Sequence, residues 1–206
     1  MAIKLYSWPQ SSGVRVSWAL EELGIRYEYV ELDPKKQEHR AAEYLAVNPQ
    51  GKVPGLVDGD LTLFESGAIL LYLGEKYGVE KKLWPAGSGQ AHADAVCWTV
   101  WAMADFGNNM MQYVYHGLDS PVSYKPADRS EACAQYNRSQ FIRGLDALQA
   151  RLQEREYLLG AFSLADVAAA SWLQTGDLLG VKFDGRPRVA DWLRRCSERP
   201  ACQRAR

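Results

Sequence analysis

The chain has 206 residues, 47% of them hydrophobic and 24% charged, which is enough apolar material for one domain or two small ones. Its formal net charge of −1 excludes the strongly basic surface of a nucleic-acid or anionic-membrane binder. No apolar run approaches the roughly 18 residues of a membrane span. The start, MAIKLYSWPQ, has no apolar signal-peptide core, and Cys97, Cys133, Cys196 and Cys202 are too scattered for a CxxC pair or a disulfide framework. These features together predict a cytoplasmic protein. His39, His92 and His116 lie far apart, so no metal site is expected.

In chain order, Ile3–Tyr6 reads as a short apolar strand and Val14–Leu23 as a helix with Val16, Leu20 and Leu23 on one face, stopped at Gly24. Arg26–Leu32 alternates as a strand, Lys35–Ala46 reads as a polar helix and Val53–Val57 as a strand. Asp58–Asp60 is a tight hairpin turn into a strand at Leu61–Phe64, and Glu65–Tyr77 is a helix that ends at Gly78. Beyond the connection at 79–89 the strand signals cease. Helices are predicted at Gln90–His116, Asp128–Glu154, Ser163–Leu179 and Arg188–Arg199, the last cut by Pro200. An α/β half followed by an all-helical half implies two domains, residues 1–78 and 90–206.

Three places in the first half carry candidate chemistry. Ser11 and Ser12 sit on the corner between the first strand and the first helix, with no His or Cys beside them. They read either as helix caps or as hydroxyl donors to a bound anion, with Arg15 in support. NPQGKVP, Asn48–Pro54, reads either as a plain loop into a strand or as a cis-proline segment whose Val53 backbone pairs with a peptide while Lys52 meets a carboxylate. FES, Phe64–Ser66, reads either as a capped helix start or as the seat of an amino-acid head group, with Ser66 toward its carboxylate and Glu65 toward its ammonium. One ligand satisfies all three functional readings: an α-amino acid at one end, a peptide bond and a thiol in the middle, and a carboxylate at the far end. That is glutathione.

LYSWPQSSGVRVSWALEELG, EHRAAEYLAVNPQGKVPGLVDGDLTLFESGAILLYL and, in the helical half, FSLADVAAASW resemble the soluble glutathione S-transferases over nearly the whole chain. The resemblance implies a thioredoxin-like N-terminal domain, an all-helical C-terminal domain, glutathione as co-substrate, a homodimer and no metal. It is nearest the serine-type branches, theta-, phi- and zeta-like. It places the catalytic hydroxyl on Ser11, four residues before Arg15, with Ser12 as the alternate. It carries glutathione contacts to His39, Arg40, Lys52, Val53, Pro54, Glu65 and Ser66. Trp8, Phe106, Met110, Tyr113 and Trp172 are candidates for a pocket that takes a small hydrophobic electrophile, or equally for plain core. The activity implied is attack of the glutathione thiolate on such an electrophile, with hydroperoxide reduction as a further possibility of the same site. The alternatives are a binding or regulatory protein of the same fold, or a glutathione-dependent isomerase, dehalogenase or lyase. FSLAD reads as structural: Ser163 as N-cap, Asp166 at N3, and Phe162 with Val167 as a hydrophobic staple.

Overall fold

The computed structural model describes residues 3–182 and 184–205. The chain divides into two compact units, Met1–Gly87 together with Glu198–Arg206, and Ser88–Ser197. The break near residue 87 falls inside the expected connection. The C-terminal residues, expected with the helical half, group instead with the first unit.

The first unit is built on a four-stranded mixed sheet of order β2-β1-β3-β4. β1 (Ile3–Ser7) pairs in parallel with β2 (Tyr27–Glu31) and antiparallel with β3 (Gly55–Asp58), which in turn pairs antiparallel with β4 (Leu61–Phe64). Along β1 the alternation buries Ile3, Leu5 and Ser7. α1 (Val14–Leu23) connects the parallel pair, as a parallel crossover requires. It buries Val16, Ala19, Leu20 and Leu23, the face that the spacing predicts, and Trp18 with them. Gly24 ends it in the left-handed conformation (φ 65°), so that Ile25 N–H reaches back to the Leu20 carbonyl at 3.1 Å. Asp58 and Leu61 pair across the hairpin turn, where Gly59 takes φ 65°.

α3 (Ser66–Leu73) covers the sheet with Ile69, Leu70 and Leu73 and runs on as a wide turn through Gly74–Gly78. Asp58 fastens that turn to the hairpin. Its Oδ2 accepts from Tyr72 Oη at 2.7 Å, Lys76 Nζ at 2.8 Å and Tyr77 Oη at 2.5 Å. The C-terminal helix α9 (Pro200–Arg204), not anticipated from the pattern, belongs to this unit. Arg199 just before it makes a two-pronged ion pair with the buried Glu22 of α1, both N–O distances 2.6 Å, and Arg204 pairs with Glu21 at 2.7 Å.

The expected polar helix at Lys35–Ala46 is not formed. Asp33 accepts the N–H groups of Lys35 and Lys36, Gln37 takes a left-handed conformation, and only a 3-10 turn (Glu38–Arg40) and a one-turn α2 (Ala42–Leu45) follow. Ala41 is extended between them, which interrupts the helix.

The second unit is helical: α4 (Gln90–Trp101), a wide turn at Ala102–Phe106, α5 (Gly107–Gly117), α6 (Glu131–Arg151), α7 (Leu164–Leu178) and α8 (Pro187–Ser197). Its core holds Phe106 stacked on Trp101, with ring centroids 4.8 Å apart, and beside Phe141 at 5.0 Å. Asp166, fully buried at N3 of α7, accepts four hydrogen bonds of 2.9 Å: from Ser163 N–H, Ser163 Oγ, Leu158 N–H and the Trp192 indole. Burial pushes its carboxyl up, and the four donors work against that.

Candidate functional site

Each sequence-derived candidate of the first unit lies on a segment that another segment holds in place. The N-cap of α1 is Gly13, so neither serine takes that position. Ser11, half-buried, donates its hydroxyl hydrogen to the Trp8 carbonyl at 2.7 Å and accepts the Gly13 N–H at 3.2 Å. Ser7 Oγ lies 2.9 Å from Ser11 Oγ. Ser12 turns the other way and donates to the carbonyl of Val53 at 2.9 Å, which ties the corner to the segment before β3. The two serines are therefore not equivalent. Ser12 is committed to a distant backbone carbonyl, whereas Ser11 bonds only within its own corner.

The Val53–Pro54 peptide is cis. Lys52 is clamped by its carbonyl, which accepts from Tyr44 Oη at 2.5 Å and from Asn48 Nδ2 at 2.6 Å. Its side chain stays exposed and, among the described residues, has no ionic partner. Arg40 donates to the Gln50 carbonyl at 3.1 Å, and Gly51 (φ 59°) sits so close that a Cβ there would fall 2.8 Å from the His39 carbonyl. His39 meets the Trp8 ring edge-on at 5.6 Å, and its Nδ1 is buried without a hydrogen-bond partner.

Glu65, at the N-cap of α3, takes φ 65°, ψ 113°, a conformation that costs a non-glycine residue about 1–3 kcal/mol and gathers at ligand sites. Its side chain is exposed, while Ser66 behind it is buried. Arg15, 3% exposed, donates to Ser66 Oγ at 3.1 Å. Burial pushes its guanidinium down to about 9, with Glu65 opposing, so the group is still cationic at neutral pH. The sequence reading placed Arg15 in support of the corner serines. One of its hydrogen bonds runs to Ser66 at the α3 end of the site.

The features fit a thiol tripeptide. Lys52 offers an unpaired ammonium and His39 an orphaned buried nitrogen. Val53 offers a carbonyl with a second lone pair, and the Glu65–Ser66 corner offers a carboxylate beside a buried cation.

Of the residues expected in a second pocket, Phe106 and Met110 are 1% and 0% exposed and are core of the helical unit. Tyr113 lines an open cleft of about 400 Å³ with His116, Arg129 and Arg138, and Trp172 is half-buried against Gly107. Trp8 lines a cleft of about 490 Å³ with Leu32, Asp33 and Glu38. Among the described residues no group of three or more His, Cys, Asp or Glu could hold a metal ion, and no helix is long and apolar enough to cross a membrane.

Ser7 and the Tyr44–Asn48 clamp escaped the sequence reading. Ser7 had a signal: it is a hydroxyl at the inward position of a strand whose other inward residues are Ile3 and Leu5.

The family model for the glutathione S-transferase N-terminal domain matches residues 1–75, and that for the C-terminal domain matches residues 109–200. Glutathione S-transferase 3 of Zea mays is 33% identical over 98% of this chain and 92% of its own. The disulfide-bond oxidoreductase YfcG of Escherichia coli (strain K12) is 29% identical over 98% of this chain and 94% of its own. The solved structure of Ure2p in complex with glutathione superposes with a TM-score of 0.87 at 26% identity, covering 100% of this chain and 98% of that one.

Proposed function

The chain belongs to the glutathione S-transferase family, and on that premise we propose that it is a serine-type glutathione transferase, nearest the theta-, phi- and zeta-like branches, with Ser11 facing the reacting sulfur. The observation that carries the choice is the opposite commitment of the two serines, Ser12 to the Val53 carbonyl and Ser11 to its own corner.

In this reading Lys52, His39 and Arg40 take the glycine carboxylate, and the Val53 backbone pairs with the peptide ahead of Pro54. Glu65 takes the ammonium, and Ser66, backed by Arg15, takes the α-carboxylate. Glutathione supplies the nucleophilic sulfur. A cysteine thiol titrates near 8.5 in water, and donors at a helix start lower that by about 2, which raises the thiolate fraction at pH 7 from about 3% to about 75%. Ser11 needs no base, because its part is to donate a hydrogen bond to sulfur and not to attack. The chain then contributes fixed donors and positioning toward a small hydrophobic electrophile, or a hydroperoxide. The working form is a cytoplasmic homodimer, without nucleic-acid, membrane or metal partners.

The test compares Ser11→Ala with Ser12→Ala. Ser11→Ala lowers conjugation of a chlorinated nitrobenzene by about one to three decades, the range for loss of one oxyanion donor, while glutathione still binds. Full activity in Ser11→Ala beside an inactive Ser12→Ala rejects the assignment. A second reading, glutathione-dependent disulfide exchange, is favoured by the relative named as a disulfide-bond oxidoreductase. Reduction of a small disulfide by glutathione at a rate exceeding every conjugation rate would select it.

A further inference from the structure

Ser11 Oγ has one hydrogen and two lone pairs. Its hydrogen goes to the Trp8 carbonyl, the shortest contact at 2.7 Å, and one lone pair takes the Gly13 N–H at 3.2 Å. In the remaining contact, to Ser7 Oγ at 2.9 Å, Ser7 is therefore the donor. Among the described residues the only other acceptor within reach of Ser7 is the Trp8 carbonyl at 3.4 Å, which is longer. Ser7 is fully buried at the end of β1, and Gly13 leaves it room: a Cβ on Gly13 would lie 1.9 Å from Ser7 Oγ.

We infer that Ser7 is a positioning residue for the transfer reaction: with the Gly13 N–H it fills both lone pairs of Ser11 Oγ and makes that hydroxyl a donor only. This rests on the reading that Ser11 faces the sulfur. A protonated thiol needs an acceptor, and Ser11 has none left. An ionised sulfur needs a donor, and the Ser11 hydrogen supplies it by turning from the Trp8 carbonyl. When the S–H bond breaks, its electron pair stays on sulfur and its proton leaves to solvent, while the Ser7 and Ser11 protons stay on their own oxygens. Accepting from Ser7 also polarises the Ser11 hydroxyl and strengthens it as a donor. Without Ser7, one Ser11 lone pair becomes free to accept from the thiol, and the preference for the ionised form weakens.

The experiment titrates bound glutathione by thiolate ultraviolet absorbance and follows the pH dependence of kcat/KM. Ser7→Ala raises the bound thiol pKa by about 0.5 to 1, the effect of one neutral hydrogen bond. Turnover at pH 6.5 falls about 2- to 5-fold and converges on wild type above pH 9, with glutathione affinity at that pH unchanged. Ser7→Thr keeps the hydroxyl and restores the profile. Ser7→Cys, which keeps the side chain's shape but offers only a weak donor, shifts the thiol pKa in the same direction and serves where Ser7→Ala does not fold. The Ser7→Ala/Ser11→Ala double variant titrates like Ser11→Ala alone. An unchanged thiol pKa in Ser7→Ala and Ser7→Cys, with only melting temperature or affinity affected, overturns the inference. So does an additive shift in the double variant. If Ser11→Ala itself leaves the thiol pKa unmoved, it is the reading of Ser11 that has failed, and Ser7 falls with it.

Discussion

Asp166 offers the best-defined perturbation in the molecule, because every bond it makes is with a buried partner. Oδ1 accepts from Leu158 N–H and the Trp192 indole, and Oδ2 from the N–H and hydroxyl of Ser163, all at 2.9 Å. In Asp166→Asn the amide nitrogen settles best in place of Oδ2. There the Ser163 hydroxyl can turn and accept, so only the Ser163 N–H loses its acceptor. The reverse placement would orphan both Leu158 N–H and Trp192 Nε1–H. One orphaned buried donor costs about 1–3 kcal/mol. Asp166→Ala orphans three N–H donors and leaves a hole, so it costs at least about twice as much. Thermal and urea unfolding followed by tryptophan fluorescence suit the measurement. At about 2–4 °C per kcal/mol for a chain of this length, Asn lowers the melting temperature by roughly 2–12 °C and Ala by more. If Asn matches wild type, or Ala costs no more than Asn, the donors are not held by the carboxylate as described and the reasoning fails.

Ser12→Ala frees the Val53 carbonyl without touching the Ser11 corner, so glutathione KM rises about 5-fold, for the loss of about 1 kcal/mol, and the pH profile of kcat/KM keeps its midpoint; a moved midpoint would count against the division of labour between the serines. The half-buried carboxylate of Asp58 and the buried one of Asp166 give stability-versus-pH slopes of opposite sign. Burial works against ionised Asp58, but hydrogen bonds from Lys76, Tyr77 and Tyr72 outweigh it and hold the group below its usual 3.8; its stabilisation is therefore present above 3.8 and is lost as pH falls through the lowered value. Asp166 is held above 3.8, so its contribution is full below that pH and declines as pH rises through the raised value. Urea midpoints of Asp58→Asn and Asp166→Asn against wild type from pH 3 to 6 should diverge in these opposite directions. Finally, neutral hydroxyl and backbone donors act over contact distance, so raising salt from low to molar concentration leaves the bound thiol pKa in place, whereas a nearby exposed cation would lose most of its influence as the Debye length shrinks from about 10 Å to 3 Å.

The alternation of strand and helix was legible because each element of the first unit carries its own period. β1 buries every second residue, and α1 turns Val16, Leu20 and Leu23 to one side. The Lys35–Ala46 segment misled, because helix-compatible polar residues carry no burial period, and the turn there is set by the Asp33 side chain and left-handed Gln37. The wide turns at Gly74–Gly78 and Ala102–Phe106 follow helices without a proline or an extended residue to end them, so the predicted helices run through them. α9 is five residues long and is fixed by Arg199–Glu22, a pairing 177 residues apart that no local pattern can announce. Among the site residues, the segments were legible and the directions of the side chains were not. Ser11 and Ser12 are adjacent in sequence, yet one turns into its corner and the other crosses to Val53. Ser7 showed only as a hydroxyl at an inward position of β1; its contact with Ser11 Oγ needed the fold.

The placement of charge separates two jobs that the sequence left mixed. Arg15 is four residues from Ser11, close enough in the chain to suggest a cation aimed at the sulfur. The fold buries it and spends a bond on Ser66, beside the strained Glu65. The unpaired ammonium of Lys52 and the orphaned nitrogen of His39 lie on the segments at the other end of the site. In the proposed reading these full charges meet the permanent charges of the tripeptide, and binding there is the same whether the thiol is ionised or not. Such binding holds the substrate without favouring the reactive state. In the proposed reading, the discrimination between thiol and thiolate falls to groups with no net charge, the Ser7, Ser11 and Gly13 cluster, through their fixed donor polarity.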